Sequence, residues 1–363
     1  MGRQLKIIDK FIVGKYLGTF LFTLGIFMVI SVVFDVSEKL DNFTAKHASL
    51  HDIVFHYYAG FIPYYLNLLS PLINFLAVIF FTAKMANQTE IVPILSGKVS
   101  FNRFLRPYFM AATIIFIISF FANVYLIPYT NRLKNNFENA NGMTDNDPAK
   151  SGVHMQIDKH TFVYMQSYNE AKHTGDLFIM EKFNGDTLLQ KLVAQTAAYD
   201  SVKGVWSLKN YSVKYVNGLR EQFISSNTPK DTILDMHPTD FILYDNVYSA
   251  MSLQELNKNI GKEKLRRPEV LNNLYYEMYH RFVYPLSAYV LTVLGVALSS
   301  RKVRGGVGLP LGAGILLCFA YIIVEKFAIT FSIKGGFPPA IVVMLPNVLF
   351  GLLGCYLIFK APK

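Results

Sequence analysis

Charge is what this sequence has least of. Only 17% of its 363 residues are Asp, Glu, Lys or Arg, against roughly 25% in soluble domains, while 52% are hydrophobic and 15% aromatic. That shortage argues for a membrane protein. Other things are missing as well. "SGKVS" at 96–100 has a Gly-Lys but not the upstream glycine of GxxxxGK[ST] that lets backbone amides wrap a phosphate, so the chain is not expected to hydrolyse ATP by itself. No GxSxG or comparable context surrounds a serine that could act as a nucleophile. The two cysteines, Cys318 and Cys355, fall inside apolar runs, where they behave as small apolar residues and say nothing about redox compartment. His47, His51 and His56 lie near one another, but their irregular spacing and the lack of a matched carboxylate shell predict no metal site.

What is present in abundance is long charge-free sequence. Six runs reach or approach the ~20 residues needed to cross a bilayer as helix: Tyr16 to Phe34, Ile53 to Ala83, Pro107 to Asn131, Phe282 to Ser300, Gly305 to Val324 and Gly335 to Phe359. The first follows Arg3, Lys6, Lys10 and Lys15 as a signal peptide would, but it is longer than a usual apolar signal core and no small-x-small site follows. It reads as a retained span.

Lys and Arg in short loops are held on the cytoplasmic side. Arg3, Lys6, Lys10, Lys15, Lys84, Lys98, Arg103, Arg106, Arg301, Lys302, Arg304, Lys360 and Lys363 all fall on one side, facing only Asp9 and Glu90. The opposite short loops hold chiefly Lys39, Lys46, Lys326 and Lys334. Both termini are therefore expected in the cytoplasm, and the net charge of +10 is a topology signal. It gives no support to nucleic-acid binding, which needs a basic face on a folded domain.

The expected architecture is a six-span helical membrane protein in a 3 + 3 arrangement: spans one to three over residues 1–131, an extracytoplasmic antiparallel β domain over 132–270, and spans four to six over 271–363. Within the middle stretch "TFVYMQS", "DLFIMEKF", "GVWSLKNYSVKYV" and "DTILDM" read as strands, separated by turn-type "NEAKHTGD", "NGD", "DSVKG" and "NTPKD". They predict a sandwich or a jellyroll-like roll. The halves share no sequence repeat.

Charged residues at the outer ends of the spans are informative, because a charge near hydrocarbon must snorkel, pair or meet a ligand. Lys39, Arg132, Lys134, Glu277, His280, Arg281, Glu325 and Lys326 all lie there. Snorkelling and pairing account for most of them singly, Glu277 and Arg281 being one helical turn apart. Together, Lys39, Arg132, Lys134 and Arg281 come from three spans at one depth, which suits an anionic lipid headgroup.

On the cytoplasmic side, Ile91, Val92, Ile94 and Leu95 recur at helical spacing and predict a short amphipathic helix within residues 84–100. Thr89 is its expected N-cap, Glu90 lies in its first turn and Gly97 is its stop. Pro93 fits only if the helix begins near it. Such a helix either rests on the bilayer through Lys98, Arg103 and Arg106 or docks a cytoplasmic partner through Glu90, Ile91, Leu95 and Gly97.

The plan of three spans, an extracytoplasmic β domain and three spans resembles the LptF/LptG family of lipopolysaccharide-export permeases. "TEIVPILSGKVSFNRFLRP" resembles that family's loop between spans two and three, although Pro93 stands where the family more often has a helix former. "YHRFVYPLSAYVLTVLGVALSSRKVRGG" resembles its fourth span and Arg-rich loop, and "PPAIVVMLPNVLFGLLGCYLI" its last span. The resemblance implies half of the membrane part of an ABC exporter, located in the inner membrane of a Gram-negative bacterium. A separate dimeric ATPase would consume ATP, with no cofactor on this chain. A paralogue or second copy would complete the cavity, and a periplasmic bridge protein of similar β fold would receive lipopolysaccharide. Glu90 takes the place of the coupling acid, and Lys39 and Arg132 fall near the family's basic cavity rim. Two other classes fit the composition: a mechanotransmission-type ABC protein, for which four spans would be the better fit, and a membrane-embedded envelope-lipid enzyme, for which Glu277, His280 and Arg281 would be the titratable set.

Overall fold

The backbone of a membrane-spanning segment must satisfy its own hydrogen bonds, which a helix does. The computed structural model describes residues 6–45, 48–97, 100–141, 152–169, 173–238, 245–266, 268–301 and 306–360. Among the described residues six helices are long and apolar enough to cross a membrane: Ile7–Ala45, Leu50–Asn87, Phe101–Ala140, Val270–Ser299, Gly308–Gly335 and Pro339–Phe359, taken below as the first to sixth spans. The first has 39 residues, about 58 Å at 1.5 Å per residue, roughly twice the thickness of the hydrocarbon core. It overshoots the run expected from the sequence at both ends. The third continues to Ala140 through the polar "NRLKNNFENA", where the β domain was expected to begin at 132. His47, Lys98, Lys302 and Arg304 lie outside the described residues.

The spans are not equivalent. In the second and fourth, 61% of the most apolar stretch is buried, against 11% in the first and 22% in the fifth. The second and fourth therefore form the centre. Their core includes Phe75, Ile79, Leu291 and Leu294, with Cys318, Tyr321 and Phe350 from the fifth and sixth spans. Burial of apolar surface does not drive helices together in lipid, so small residues and interhelical hydrogen bonds do more of the work. Buried Tyr16 donates to Asn74 and meets Thr292 at 2.7 Å, while Asn74 donates to the Ala288 carbonyl at 3.2 Å, tying the first, second and fourth spans together. Gly60 brings the third span against the second: a Cβ there would lie 2.5 Å from both Lys134 Cβ and the Thr130 carbonyl oxygen.

Two wide π turns, Ile53–Tyr58 and Ala122–Leu126, interrupt the second and third spans. Such turns often re-aim side chains at functional positions. The first of them presents Tyr57 and Tyr58. A 3-10 turn at Tyr284–Leu286 accommodates Pro285 in the fourth span.

The second compact unit carries the sheet: β1 (Val153–Asp158), β2 (Thr161–Asn169), β3 (Thr174–Asn184), β4 (Thr187–Asp200), β5 (Val205–Asn217), β6 (Arg220–Ser226) and β7 (Lys230–Thr232). All are antiparallel in the order β1-β2-β3-β4-β5-β6, with β7 pairing β5 beyond the end of β6. This is a single meander, where a two-sheet sandwich was one expectation. One face packs Met165, Phe178, Leu192, Trp206 and Leu208, and the Trp206 indole N–H donates to the Met236 carbonyl at 3.0 Å. Tight turns follow at Gly185, Gly204 and Gly218, each with positive φ (58, 66 and 60°). The unit also takes in Gln254–Leu274, whereas Ser249–Leu253 belongs to the helical unit. Both assignments depart from the expected boundary at 270.

Candidate functional sites at the two ends of the helical bundle

At the end of the bundle near residue 90, the second span closes with a Schellman-type cap. The Glu90 N–H donates to the Met85 carbonyl at 2.9 Å and the Thr89 N–H to Ala86 at 3.1 Å, and Thr89 sits in the left-handed region at φ 58°. Thr89 is thus the stop of the preceding helix rather than the N-cap expected of it. The N-cap of the short helix Ile91–Ser96 is Glu90, whose side chain makes no capping hydrogen bond. Pro93 is the third helical residue, where its missing N–H is one of the donors a helix leaves unpaired anyway. Gly97 ends the helix, its N–H donating to the Pro93 carbonyl at 3.0 Å.

This helix has two faces. Ile91 is only 3% exposed and packs in a core with Ile12, Tyr16, Phe104 and Tyr108, with Ile94 against the same cluster. The expectation that Ile91 contacts a partner is therefore corrected: its side chain anchors the helix to its own bundle. Leu95 lies in the helix. Glu90, Val92, Pro93 and Ser96 form the exposed face. The Glu90 carboxylate has no hydrogen bond or ion pair among the described residues. Asp9, the other acid of this end, is buried and held by both terminal nitrogens of Arg103, at 2.8 and 2.6 Å. One acid is sealed and one is open.

At the opposite end, the four basic residues read together from the sequence divide. Lys39 Nζ lies 3.0 Å from Glu138 Oε1, and Lys134 Nζ 3.6 Å from the same oxygen. Both ammonium groups stand over the Tyr57 ring, 4.8 and 5.7 Å from its centroid. The Tyr57 and Tyr58 hydroxyls donate to the two oxygens of buried Asp35, at 2.8 and 3.0 Å. Arg132 is exposed and donates to the Ala250 carbonyl at 3.3 Å.

Arg281 does not join this rim. It is 2% exposed and donates to Glu277 at 2.9 Å, the Met251 carbonyl at 2.7 Å and the Ser249 carbonyl at 3.3 Å. A headgroup cannot reach a guanidinium so enclosed, so its expected lipid-binding role is replaced by a structural one. The pairing with Glu277 expected from the i,i+4 spacing is present.

The titratable set that an envelope-lipid enzyme would need is also apart. His280 turns to Glu325, Nε2 to Oε1 at 3.6 Å, between the rings of Tyr276 and Tyr284. The cavity at this pair holds about 10 Å³, near the size of one water, so no lipid fits there. His51 and His56 approach the Asp52 carboxylate at 3.5 and 3.3 Å. Among the described residues no group of three or more His, Cys, Asp or Glu could hold a metal.

Sequence reasoning missed Glu138, Asp35 and Tyr57. Lys134 and Glu138, four apart on one helix, were the available signal for the first. A family described as "Lipopolysaccharide export system permease LptF/LptG" matches residues 10–360 of the chain. No curated protein matches it.

Proposed function

The chain belongs to the LptF/LptG family of lipopolysaccharide-export permeases, and from that premise we propose that it is one membrane half of an exporter driven by a separate ATPase. In this reading the termini and the short helix Ile91–Ser96 face the cytoplasm and the sheet unit lies in the periplasm. An ATPase dimer grips the exposed face of the short helix. A second six-span subunit, a paralogue or another copy, completes the cavity. The open flank of the first span supports that pairing: Gly14 and Gly18 line a cleft of about 600 Å³ with Phe22, Phe80 and Leu311. Lipopolysaccharide enters from the outer leaflet, its anionic headgroup meeting Lys39, Lys134 and Arg132, and leaves by way of the sheet unit to a periplasmic bridge protein. The chain supplies no ATPase chemistry of its own.

The observation that carries this reading is the contrast between the two acids near the short helix. Asp9 is neutralised by Arg103, whereas Glu90 is exposed and has no partner among the described residues. A carboxylate held outward on a helix whose other face is bolted into the bundle is a handle for a cationic pocket. Glu90→Lys reverses that charge without touching the core. Expressed with the cell's ATPase, the variant is expected to insert its six spans normally and to lose ATPase on co-purification. Recovery of as much ATPase as with the unaltered chain would sink the docking role.

A further inference from the structure

Glu138 is the least explained charge at the rim. It is 7% exposed and lies in the last turn of the helix that ends at Ala140, with one of its oxygens facing both Lys39 and Lys134. Tyr57 holds the three together. Its ring underlies both ammonium groups, and its hydroxyl is committed to Asp35. The cluster thus contains two ammonium groups and two carboxylates, with no net charge, although Asp35 is engaged by tyrosines rather than by lysines. One singly charged oxygen pair is shared between two cations.

We propose that Glu138 is a built-in counter-anion which a ligand must displace, and that it selects phosphomonoesters over the phosphodiesters of ordinary glycerophospholipids. The proposal rests on the rim lysines being headgroup-binding side chains. Its physics is a competition. Glu138 is tethered beside the lysines at an effective concentration of about millimolar or more. A phosphodiester brings the same single negative charge as the carboxylate, so exchanging one for the other gains little. A phosphomonoester carries about −1.5 to −2 charges near pH 7 and three acceptor oxygens, enough to give each ammonium its own oxygen and a larger share of charge. Only the second ligand gains by the exchange. The position of Glu138 near the helix end, where the Asn141 N–H makes the closing bond to Phe137, lets the released carboxylate turn outward without breaking a helix interior.

The test compares two photocrosslinkable lipids with the same acyl chains, a phosphatidic acid and a phosphatidylglycerol, on the full chain in nanodiscs of zwitterionic lipid. The unaltered protein is expected to prefer phosphatidic acid by about tenfold, the equivalent of one charge-assisted hydrogen bond. Glu138→Gln is expected to narrow that preference to about threefold or less, chiefly by raising phosphatidylglycerol capture, while Glu138→Asp keeps it. The Asp variant guards against a folding defect, as do monodispersity and span insertion of the Gln variant. Unchanged selectivity in Glu138→Gln, with capture of both lipids reduced by Lys39→Gln plus Lys134→Gln, would overturn the proposal and leave the rim intact. If the double lysine variant captures both lipids as before, the headgroup reading of the rim itself fails. Millimolar inorganic phosphate separates the sources of the anion: no loss of phosphatidic acid capture supports a lipid ligand, and full competition would overturn it in favour of a free-phosphate site.

Discussion

Replacing Arg281 tests whether a buried arginine in the fourth span is scaffold or lipid contact. Its guanidinium donates to Glu277, the Met251 carbonyl and the Ser249 carbonyl, and 2% of the residue is exposed. Arg281→Leu keeps much of the volume but removes every donor. Bonds to a charged group are each worth about 1.5–3 kcal/mol, and they do not add fully because the partners share one group. The Glu277 side chain is 22% exposed, so water relieves part of its loss, but the Met251 and Ser249 carbonyls lose a charged donor. The expected destabilisation is about 3–5 kcal/mol, the range for breaking one side of a buried ion pair. Arg281→Lys retains the charge but not the planar fork that reaches three acceptors, and is expected to lose about 2 kcal/mol. Equilibrium unfolding of the full chain in detergent reads the size of the effect, and hydrogen exchange reads its place, with faster exchange at Ser249–Leu253. A lipid-contact role predicts the opposite pattern: Lys would substitute almost silently and lipid capture would fall. A loss below about 1 kcal/mol for Arg281→Leu, or unaltered exchange at Ser249–Leu253, would refute the structural reasoning.

Two further substitutions probe the elements that position the sites. Thr89→Gly is expected to raise stability by up to about 1 kcal/mol, because a left-handed β-branched residue costs about 1–2 kcal/mol and glycine gives back about 0.5–1 in unfolded-chain entropy; a lower thermal midpoint in detergent would contradict the cap assignment. Gly60→Ala places a methyl 2.5 Å from Lys134 Cβ and the Thr130 carbonyl, so the third span must shift, at about 1–3 kcal/mol. Its unfolding midpoint should fall and its capture of anionic lipid change, whereas neutrality in both would show that the spans do not approach so closely.

The spans were legible because hydrocarbon imposes one rule, length without charge, that a sequence displays openly. Their ends were not, since beyond the membrane the first and third helices run on with polar residues that obey no such rule. In the sheet, β2, β3 and β5 announced themselves by β-branched and aromatic alternation. β4 did not, because "TLLQKLVAQTAAYD" is built from Leu, Ala and Gln, which favour helices; it is a strand through its pairing with β3 and β5 on both sides. β6 is exposed almost along its length and shows no buried period to read. At the sites, Lys39 and Lys134 were legible as basic residues at span ends, whereas Glu138, the acid that binds both, was not. Thr89 was misassigned because a threonine before an acid resembles a cap from either side, and only φ distinguishes the end of one helix from the start of the next.

How each charge is satisfied separates scaffold from site in the helical unit. Arg281 donates to a carboxylate and two carbonyls, and Asp9 takes both terminal nitrogens of Arg103; both are paired and buried, away from an arriving ligand. Glu90 stands at the other extreme, outward and without a partner among the described residues, so a cation arriving at it has no existing bond to break. The rim is intermediate. Lys39 and Lys134 are satisfied, but by a single shared oxygen and a ring face, an arrangement that a better anion can improve upon. A partner held through Glu90 is therefore expected to show ordinary salt-screened binding, whereas a ligand of the rim must first win an exchange. That exchange makes the rim's selectivity a property of Glu138 as much as of the lysines, and it is why neutralising Glu138 should broaden what the rim accepts rather than abolish it.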